Sequence, residues 1–350
     1  MSSTIERKPV GIIGLGSFGV AMTKLLSSST DVIVYTRNKN TIDEVRRNNS
    51  HHNVPIAPNV SITDSLEEIA SKCDLIFPVI PSKNFRAMMK ELAPHLYPYH
   101  ILIHCIKGFD VSDSVNLDAP QQQTISRSNV FSMSEVIQQE SVVTRIGCLS
   151  GPNLAAEIIE GQPTAAVVAS KYREVIDEGK KYLNSEKFHI FGSKDIIGAE
   201  LAGAMKNVIA LASGILAGKG LGKNIQAMLI TRGLTEMIYF GKAMGASSQA
   251  FLGTAGIGDL IATATSSNSR NFTFGLRIAQ GETPDKIVST MQEVAEGVRT
   301  LQIMYGLAKY YRLRVPIIQT IYSIVFEGFE FERALRFLIQ YPYDVDVDFM

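Results

Sequence analysis

The chain has 350 residues, of which 45% are hydrophobic and 19% charged, with 34 Lys plus Arg against 34 Asp plus Glu. That length exceeds what one hydrophobic core usually serves, so two domains are expected. Zero net charge excludes a general affinity for nucleic acid or an anionic membrane surface, so any anion must be held by a local cluster.

The opening Met1 to Pro9 is polar and has no apolar h-region, so no secretory leader is expected. Short apolar runs then alternate with helical patterns. Val10–Gly14 (VGIIG), Val32–Thr36 (VIVYT), Leu75–Ile80 (LIFPVI), Ile101–Ile106 (ILIHCI), Ala165–Val168 and Phe188–Phe191 are apolar on both faces and read as buried parallel strands. Between them, Gly19–Leu26, Asn40–Arg47, Leu66–Lys72 and Phe85–Leu92 read as helices. The alternation predicts an α/β domain with a doubly wound, Rossmann-type sheet. Cys73, Cys105 and Cys148 are sparse and odd in number, which suits buried thiols in a reducing cytoplasm rather than a disulfide framework. His51 and His52 fall in a polar loop, and His100 and His104 flank a strand; none has the partners of a metal site, so no metal is expected. Asp110–Asn129 is polar and reads as a surface excursion before the helical SMSEVI.

After about Ser193 the strands stop. Ile196–Leu216, Asn224–Met244, Thr283–Glu296, Val298–Tyr310 and Ile317–Phe326 carry helical patterns, with Gly245 placed as a C-cap. The expected division is a dinucleotide-binding domain over 1–194 and an all-α domain over 195–350. No stretch of about 18 uninterrupted apolar residues suggests a membrane span.

Gly14-Leu15-Gly16-Ser17-Phe18-Gly19 is a G-x-G-x-x-G lying between an apolar strand and a helix. In that setting the first glycine permits a tight turn, the second lets backbone N–H groups approach a pyrophosphate, and the third lets helix pack on strand. The helix N-terminus favours the phosphate charge. At the end of the second strand, where an NAD-only site usually carries Asp or Glu, stands Arg37, suited to a 2′-phosphate. NADP, or both dinucleotides, is therefore expected.

Several residues carry the remaining chemistry. Lys107 follows a strand at the carboxyl end of the sheet, where α/β folds bind ligands. Gly151-Pro152-Asn153 turns into a helix that opens at Leu154-Ala155; Asn153 can cap it or meet a ligand. Lys206 sits in a helix rich in Gly and Ala, which implies burial, a lowered pKa and a competent proton donor. Asp259 follows a glycine-rich turn and can be a helix cap or a catalytic carboxylate. Ser269, Arg270 and Asn271 offer a guanidinium and neutral donors, the chemistry a phosphate needs. Glu296 lies in Glu293–Arg299, which reads as a helix end, and it can reach a cofactor or be merely exposed.

These segments, in order, resemble the bacterial-type NAD(P)-dependent glycerol-3-phosphate dehydrogenase family: GLGSFG, VIPS, KG, MSEVI, LSGPN-A, IGAELAGAMKNVIA, TRGLTEM, GIGDLIATATSSNSRNFTFG and VAEGVRT. The likeness spans nearly the whole chain. It implies that Lys206 is the proton donor and acceptor, with Lys107 and Asp259 beside it. It assigns Lys107, Gly151, Asn153, Lys206, Asp259, Thr263, Ser269, Arg270 and Asn271 to substrate. It assigns Gly14, Gly16, Ser17, Phe18, Gly19, Arg37, Lys107, Ala155, Arg270, Val294 and Glu296 to the cofactor, NAD(P)H. The implied reaction joins dihydroxyacetone phosphate and sn-glycerol 3-phosphate in a cytoplasmic homodimer with no nucleic-acid partner. Phe18 replaces a common Trp, Asn153 a common Ser, and Asp110–Asn129 is longer than usual. A β-hydroxyacid dehydrogenase and a non-catalytic dinucleotide sensor are the rival readings.

Overall fold

The computed structural model describes residues 8–117, 125–291 and 295–342. The chain divides into two compact units, Met1–Ile106 with Met133–Ile196, and Lys107–Ser132 with Ile197–Met350. A single division after residue 194 differs from this at one place. Lys107–Ser132 groups with the helices because Phe109, Ile125 and Val130 are buried in the helical core. Within it, Asp110–Val111 pairs antiparallel with Val130–Phe131. Its two limbs are therefore anchored rather than a surface excursion; residues 118–124 lie outside the described residues.

The first unit is built on eight strands: β1 (Val10–Ile13), β2 (Val32–Tyr35), β3 (Val60–Thr63), β4 (Leu75–Pro78), β5 (Ile101–His104), β6 (Arg145–Ser150), β7 (Thr164–Ala169) and β8 (Phe188–Ser193). They lie in the order β8-β7-β6-β5-β4-β1-β2-β3. From β3 to β6 every neighbour is parallel. This is the 3-2-1-4-5-6 order of a doubly wound sheet, whose strand order reverses between β1 and β4. The expectation of parallel strands throughout fails at β7, which runs antiparallel to β6 and parallel to β8. Apolar runs report burial, and burial is the same for either strand direction. Nor is β8 covered on both faces. Phe188 and Ile190 are buried while His189 and Phe191 are exposed, the alternation of an edge strand.

Seven helices accompany the sheet: α1 (Ser17–Ser27), α2 (Lys39–Asn48), α3 (Leu66–Lys72), α4 (Phe85–Leu92), α5 (Met133–Glu140), α6 (Ala155–Glu160) and α7 (Arg173–Leu183). Caps fix where two of them start. Asn38 accepts from the backbone N–H groups of Asn40 and Thr41, and Ser65 from that of Glu68.

The second unit holds α8 (Ile196–Gly218), α9 (Lys223–Ala243), α10 (Ser248–Leu252), α11 (Asp259–Thr265), α12 (Arg270–Ala279), α13 (Pro284–Thr290), α14 (Glu296–Tyr311), α15 (Pro316–Phe326) and α16 (Phe331–Ile339). Helix α8 is its axis. Every residue from Leu201 to Leu216 is buried. A Cβ at Gly214 would lie 2.0 Å from the Phe272 carbonyl oxygen, and one at Gly275 would lie 1.9 Å from that of Leu211. Helices α8 and α12 thus meet backbone to backbone, and only glycine fits at either position. Among the described residues α8 alone is long and apolar enough to cross a membrane, and 89% of its most apolar window is buried inside the protein.

The expected helix Thr283–Glu296 is not continuous. Helix α13 stops at Met291, which is extended (φ −77°, ψ 131°), and α14 starts anew, so Glu296 opens a helix rather than closing one.

One buried carboxylate ties two of these helices together. Glu236 of α9, 3% exposed, accepts the backbone N–H groups of Ile317 (2.6 Å) and Ile318 (3.0 Å) in the first turn of α15. Burial pushes its pKa up to about 8, while the two N–H donors pull it back. These donors would otherwise be orphans of the helix start. Glu236→Ala leaves both unsatisfied in a dry site, which should cost about 2–6 kcal/mol at 1–3 kcal/mol per abandoned group. Chemical denaturation should show a lowered midpoint. Glu236→Gln keeps one acceptor and should lose roughly half as much.

Candidate active site

In the first unit the glycine-rich loop follows β1, at the point where strand order reverses. Its three glycines have three separate physical causes. Gly14 has φ +112°, and a Cβ there would lie 2.4 Å from the Val79 carbonyl oxygen. At Gly19 a Cβ would lie 2.1 Å from the Gly14 carbonyl oxygen, so α1 could not pack so closely on the loop. Gly16 is different: its φ of −75° suits any residue, and a Cβ there would meet nothing within 4 Å. Nothing within the protein demands glycine at this position. A ligand approaching the backbone does, and α1 begins at the next residue with Gly16 as an N-cap that makes no side-chain bond. The residues present therefore fit a dinucleotide pyrophosphate. Ser17 and Phe18, both half-buried, form the first turn of α1. Arg37 is exposed just beyond β2.

At the end of β6, Gly151 has φ +133° and turns the chain. Asn153 does not cap α6: the N-cap is Leu154, and no side chain bonds to it. Both side-chain polar atoms of Asn153 are buried without a hydrogen-bond partner, as is the Ser150 hydroxyl. Buried polar groups are rarely left so unless something binds them. Ala155 begins α6.

The second unit gathers the charged residues. Lys206 of α8 is 5% exposed and Asp259 of α11 only 1%. The Lys206 ammonium donates to Asp259 Oδ1 and, at 2.5 Å, to the Thr263 hydroxyl. Lys107 Nζ donates to the other carboxylate oxygen, Oδ2, at 2.6 Å. Thr263 lies one turn after Asp259 on the same face of α11, and its hydroxyl reaches Oδ1 at 3.4 Å. Asp259 is thus no helix cap; the N-cap is Gly258. A π-helical turn, Thr254–Gly258, introduces α11. A Cβ at Gly256 would fall 2.1 Å from the Phe251 carbonyl oxygen, so glycine is required for that turn.

Two ammonium groups share one carboxylate in this buried place. Burial drives the Lys206 pKa down to about 7 from 10.5; Asp259 resists that shift and the neighbouring Lys107 charge adds to it. The cluster can give up a proton near neutral pH, and its surplus positive charge favours an oxygen on which negative charge develops.

A second network holds the frame. Asn207 donates to the Lys107 carbonyl oxygen (3.3 Å), Asn271 donates to Asn207 Oδ1 (2.9 Å), and Gly297 N–H donates to Asn271 Oδ1 (2.8 Å). It links the Lys107 segment to α8, α12 and α14. A Cβ at Gly297 would lie 2.7 Å from the Asn207 carbonyl oxygen. Asn207 did not stand out in the sequence beyond being next to Lys206; only its partners reveal its part.

Residues 9–176 match the family described as NAD-dependent glycerol-3-phosphate dehydrogenase N-terminus, and residues 195–336 match its C-terminus. The chain belongs to the NAD-dependent glycerol-3-phosphate dehydrogenase family. A glycerol-3-phosphate dehydrogenase (NAD(P)+) from Alcanivorax borkumensis is 34% identical over 99% of this chain and 98% of its own. Another with that name, from Staphylococcus carnosus, is 34% identical over 94% of this chain and 97% of its own. The crystal structure of glycerol-3-phosphate dehydrogenase from Coxiella burnetii superposes with a TM-score of 0.84 at 27% identity, covering 95% of this chain and 99% of that one.

Within this family member, the site residues expected from sequence fall in both units. Gly14, Gly16, Ser17, Phe18, Gly19, Arg37, Gly151, Asn153 and Ala155 belong to the first. Lys107, Lys206, Asp259, Thr263, Ser269, Arg270, Asn271 and Glu296 belong to the second. Lys206, Lys107, Asp259 and Thr263 are in direct contact. Asn271 is buried in the second network, whereas Arg270 is exposed in the first turn of α12. Ser269 also has a local duty, capping α12 at the Phe272 N–H. Val294 lies outside the described residues.

Removing the shared anion should be worse for stability than removing one cation. Asp259→Ala abandons the buried Lys206 ammonium and the half-buried Lys107 one and should cost about 3–5 kcal/mol, the usual penalty for breaking a buried pair. Lys206→Met leaves Asp259 paired with Lys107 and should cost roughly 2 kcal/mol or less. Paired denaturation curves check the ranking.

Proposed function

We propose that this chain is an NAD(P)-dependent sn-glycerol-3-phosphate dehydrogenase, interconverting dihydroxyacetone phosphate and sn-glycerol 3-phosphate for glycerophospholipid synthesis. The observation that carries the reading is the buried contact of Lys206 with Asp259 and Thr263, with Lys107 bonded to the same carboxylate, in a chain of this family. When bound, the dinucleotide supplies the hydride to the carbonyl carbon, or takes it back in the reverse direction. The chain's own residues handle the charge and the proton.

As the carbonyl oxygen gains negative charge, the Lys206 ammonium stabilises and then protonates it. Asp259 holds Lys206 in place, and Thr263 fixes the ammonium from a second side. Lys107, bonded to the same carboxylate, orients the substrate hydroxyl. In the reverse direction neutral Lys206 takes the hydroxyl proton. Arg270 and Asn271 grip the phosphate, whose binding energy positions the reacting carbon. The family resemblance assigns Gly151 and Asn153 to the substrate as well, and the polar atoms of Asn153 have no partner among the described residues. Gly14, Gly16, Ser17, Phe18, Gly19 and Arg37 hold NAD(P)H, with Lys107, Ala155, Arg270, Val294 and Glu296 as the further contacts that the family resemblance assigns. The same resemblance supports a homodimer in the cytoplasm.

Lys206→Met should keep its fold and its cofactor affinity yet lose at least about a hundredfold in kcat, the low end for a general acid. Near-normal turnover with dihydroxyacetone phosphate would remove the assignment. Arg270→Ala should raise the KM for dihydroxyacetone phosphate by roughly 10–100-fold, as expected for a lost charge-assisted bond of about 1.5–3 kcal/mol. An unchanged KM would mean that the phosphate is held elsewhere. Parallel assays with NADH and NADPH, and with a 3-hydroxy acid as substrate, separate this enzyme from a β-hydroxyacid dehydrogenase.

A further inference from the structure

The imidazole of His51 makes contacts that the reaction does not use. Asn49 ends α2 in the left-handed region (φ 47°), and a short hairpin follows in which Ser50–His51 pairs with Val54–Pro55. Its two turn residues, His52 and Asn53, both have positive φ (49° and 61°). That is the type I′ geometry of a two-residue hairpin, not the open polar loop expected from sequence. The hairpin places His51 beneath the glycine-rich loop, where it is 9% exposed. Its Nε2 lies 3.1 Å from the Leu15 carbonyl oxygen, and its Nδ1 lies 3.0 Å from Glu44 Oε2 on α2.

The consequence follows from peptide geometry. The carbonyl oxygen of Leu15 and the N–H of Gly16 belong to one planar trans peptide, and they point in opposite directions. A carbonyl held toward His51 therefore aims the Gly16 N–H to the other side of the loop. Gly16 is exposed, and a Cβ there would meet nothing within 4 Å. Among the described residues no other donor bonds to that carbonyl, and a glycine on each side of Leu15 leaves this peptide free to rotate if released. Glu44 fixes the ring from behind, and it does so from the helix that follows β2 and Arg37.

We infer that His51 is a positioning residue for the dinucleotide: it locks the Leu15–Gly16 peptide so that the Gly16 N–H faces the pyrophosphate. Glu44 is the brace that orients the imidazole. The inference rests on the reading of this loop as the NAD(P)H site. It concerns the pyrophosphate, which NADH and NADPH share, so His51 sets the affinity for both and the choice between neither.

The test is a direct fluorescence titration of NADH and NADPH on the full chain, with steady-state kinetics alongside. For His51→Ala, the Kd and KM of both cofactors should rise about tenfold, the worth of one hydrogen bond at the upper end of its range. The rise should be equal for NADH and NADPH, with kcat at saturation and the KM for dihydroxyacetone phosphate within about twofold of the parent. His51→Gln, whose amide N–H can replace the ring donor, should recover most of the loss. If His51→Ala and His51→Gln both melt like the parent and bind cofactor as tightly, the inference is overturned. A loss that falls on kcat rather than on cofactor affinity overturns it equally. Parent protein that binds neither dinucleotide would instead remove the reading of the loop.

Discussion

One carboxylate with 1% exposure carries the site in the helical unit. Asp259 bonds to Lys206, Lys107 and Thr263, which come from α8, from the segment after β5 and from α11. Without an anion there, a buried and a half-buried ammonium group would repel, and the buried one would lose its charge or leave the interior. The packing around it answers that need. Glycines at 214 and 275 let α8 and α12 touch backbone to backbone, a π-turn sets the start of α11, and the Asn207–Asn271–Gly297 chain fixes the neighbouring ends. Burying a lysine here costs some stability, and that burial is what lowers the Lys206 pKa.

Much of this was legible in the sequence. The strand–glycine loop–helix pattern predicted a doubly wound sheet, and β3 to β6 have that order. The small residues around Lys206 predicted a buried helix, and it is buried. These features are local, so a short window of residues encodes them. One side of two open alternatives is gone: neither Asp259 nor Asn153 has the capping duty that its position allowed.

What the sequence concealed is what depends on distant partners. The direction of β7 follows from its neighbour, not from its own apolar residues. Strand β6, RIGCLS, mixes Arg, Gly and Ser into a buried strand and so lacks a continuous apolar run. The break between α13 and α14 has no proline or glycine at Met291 to announce it. The polar Asp110–Asn129 stretch hides Ile125, whose side chain lies against Gly306 of α14. His51 and Asn207 gain their meaning only from a backbone carbonyl 36 residues away in one case and 100 in the other.

The central claim is that a desolvated ammonium at Lys206 delivers the proton in one direction and recovers it in the other. Its most direct test is kcat against pH for the forward and reverse reactions at saturating substrates. A lysine with a pKa of about 7 predicts opposite signs: reduction needs the ammonium and should fall as pH rises through about 7, while oxidation needs the neutral amine and should rise through the same interval. Profiles that are flat between roughly pH 6 and 9, or that bend the same way in both directions, would contradict it.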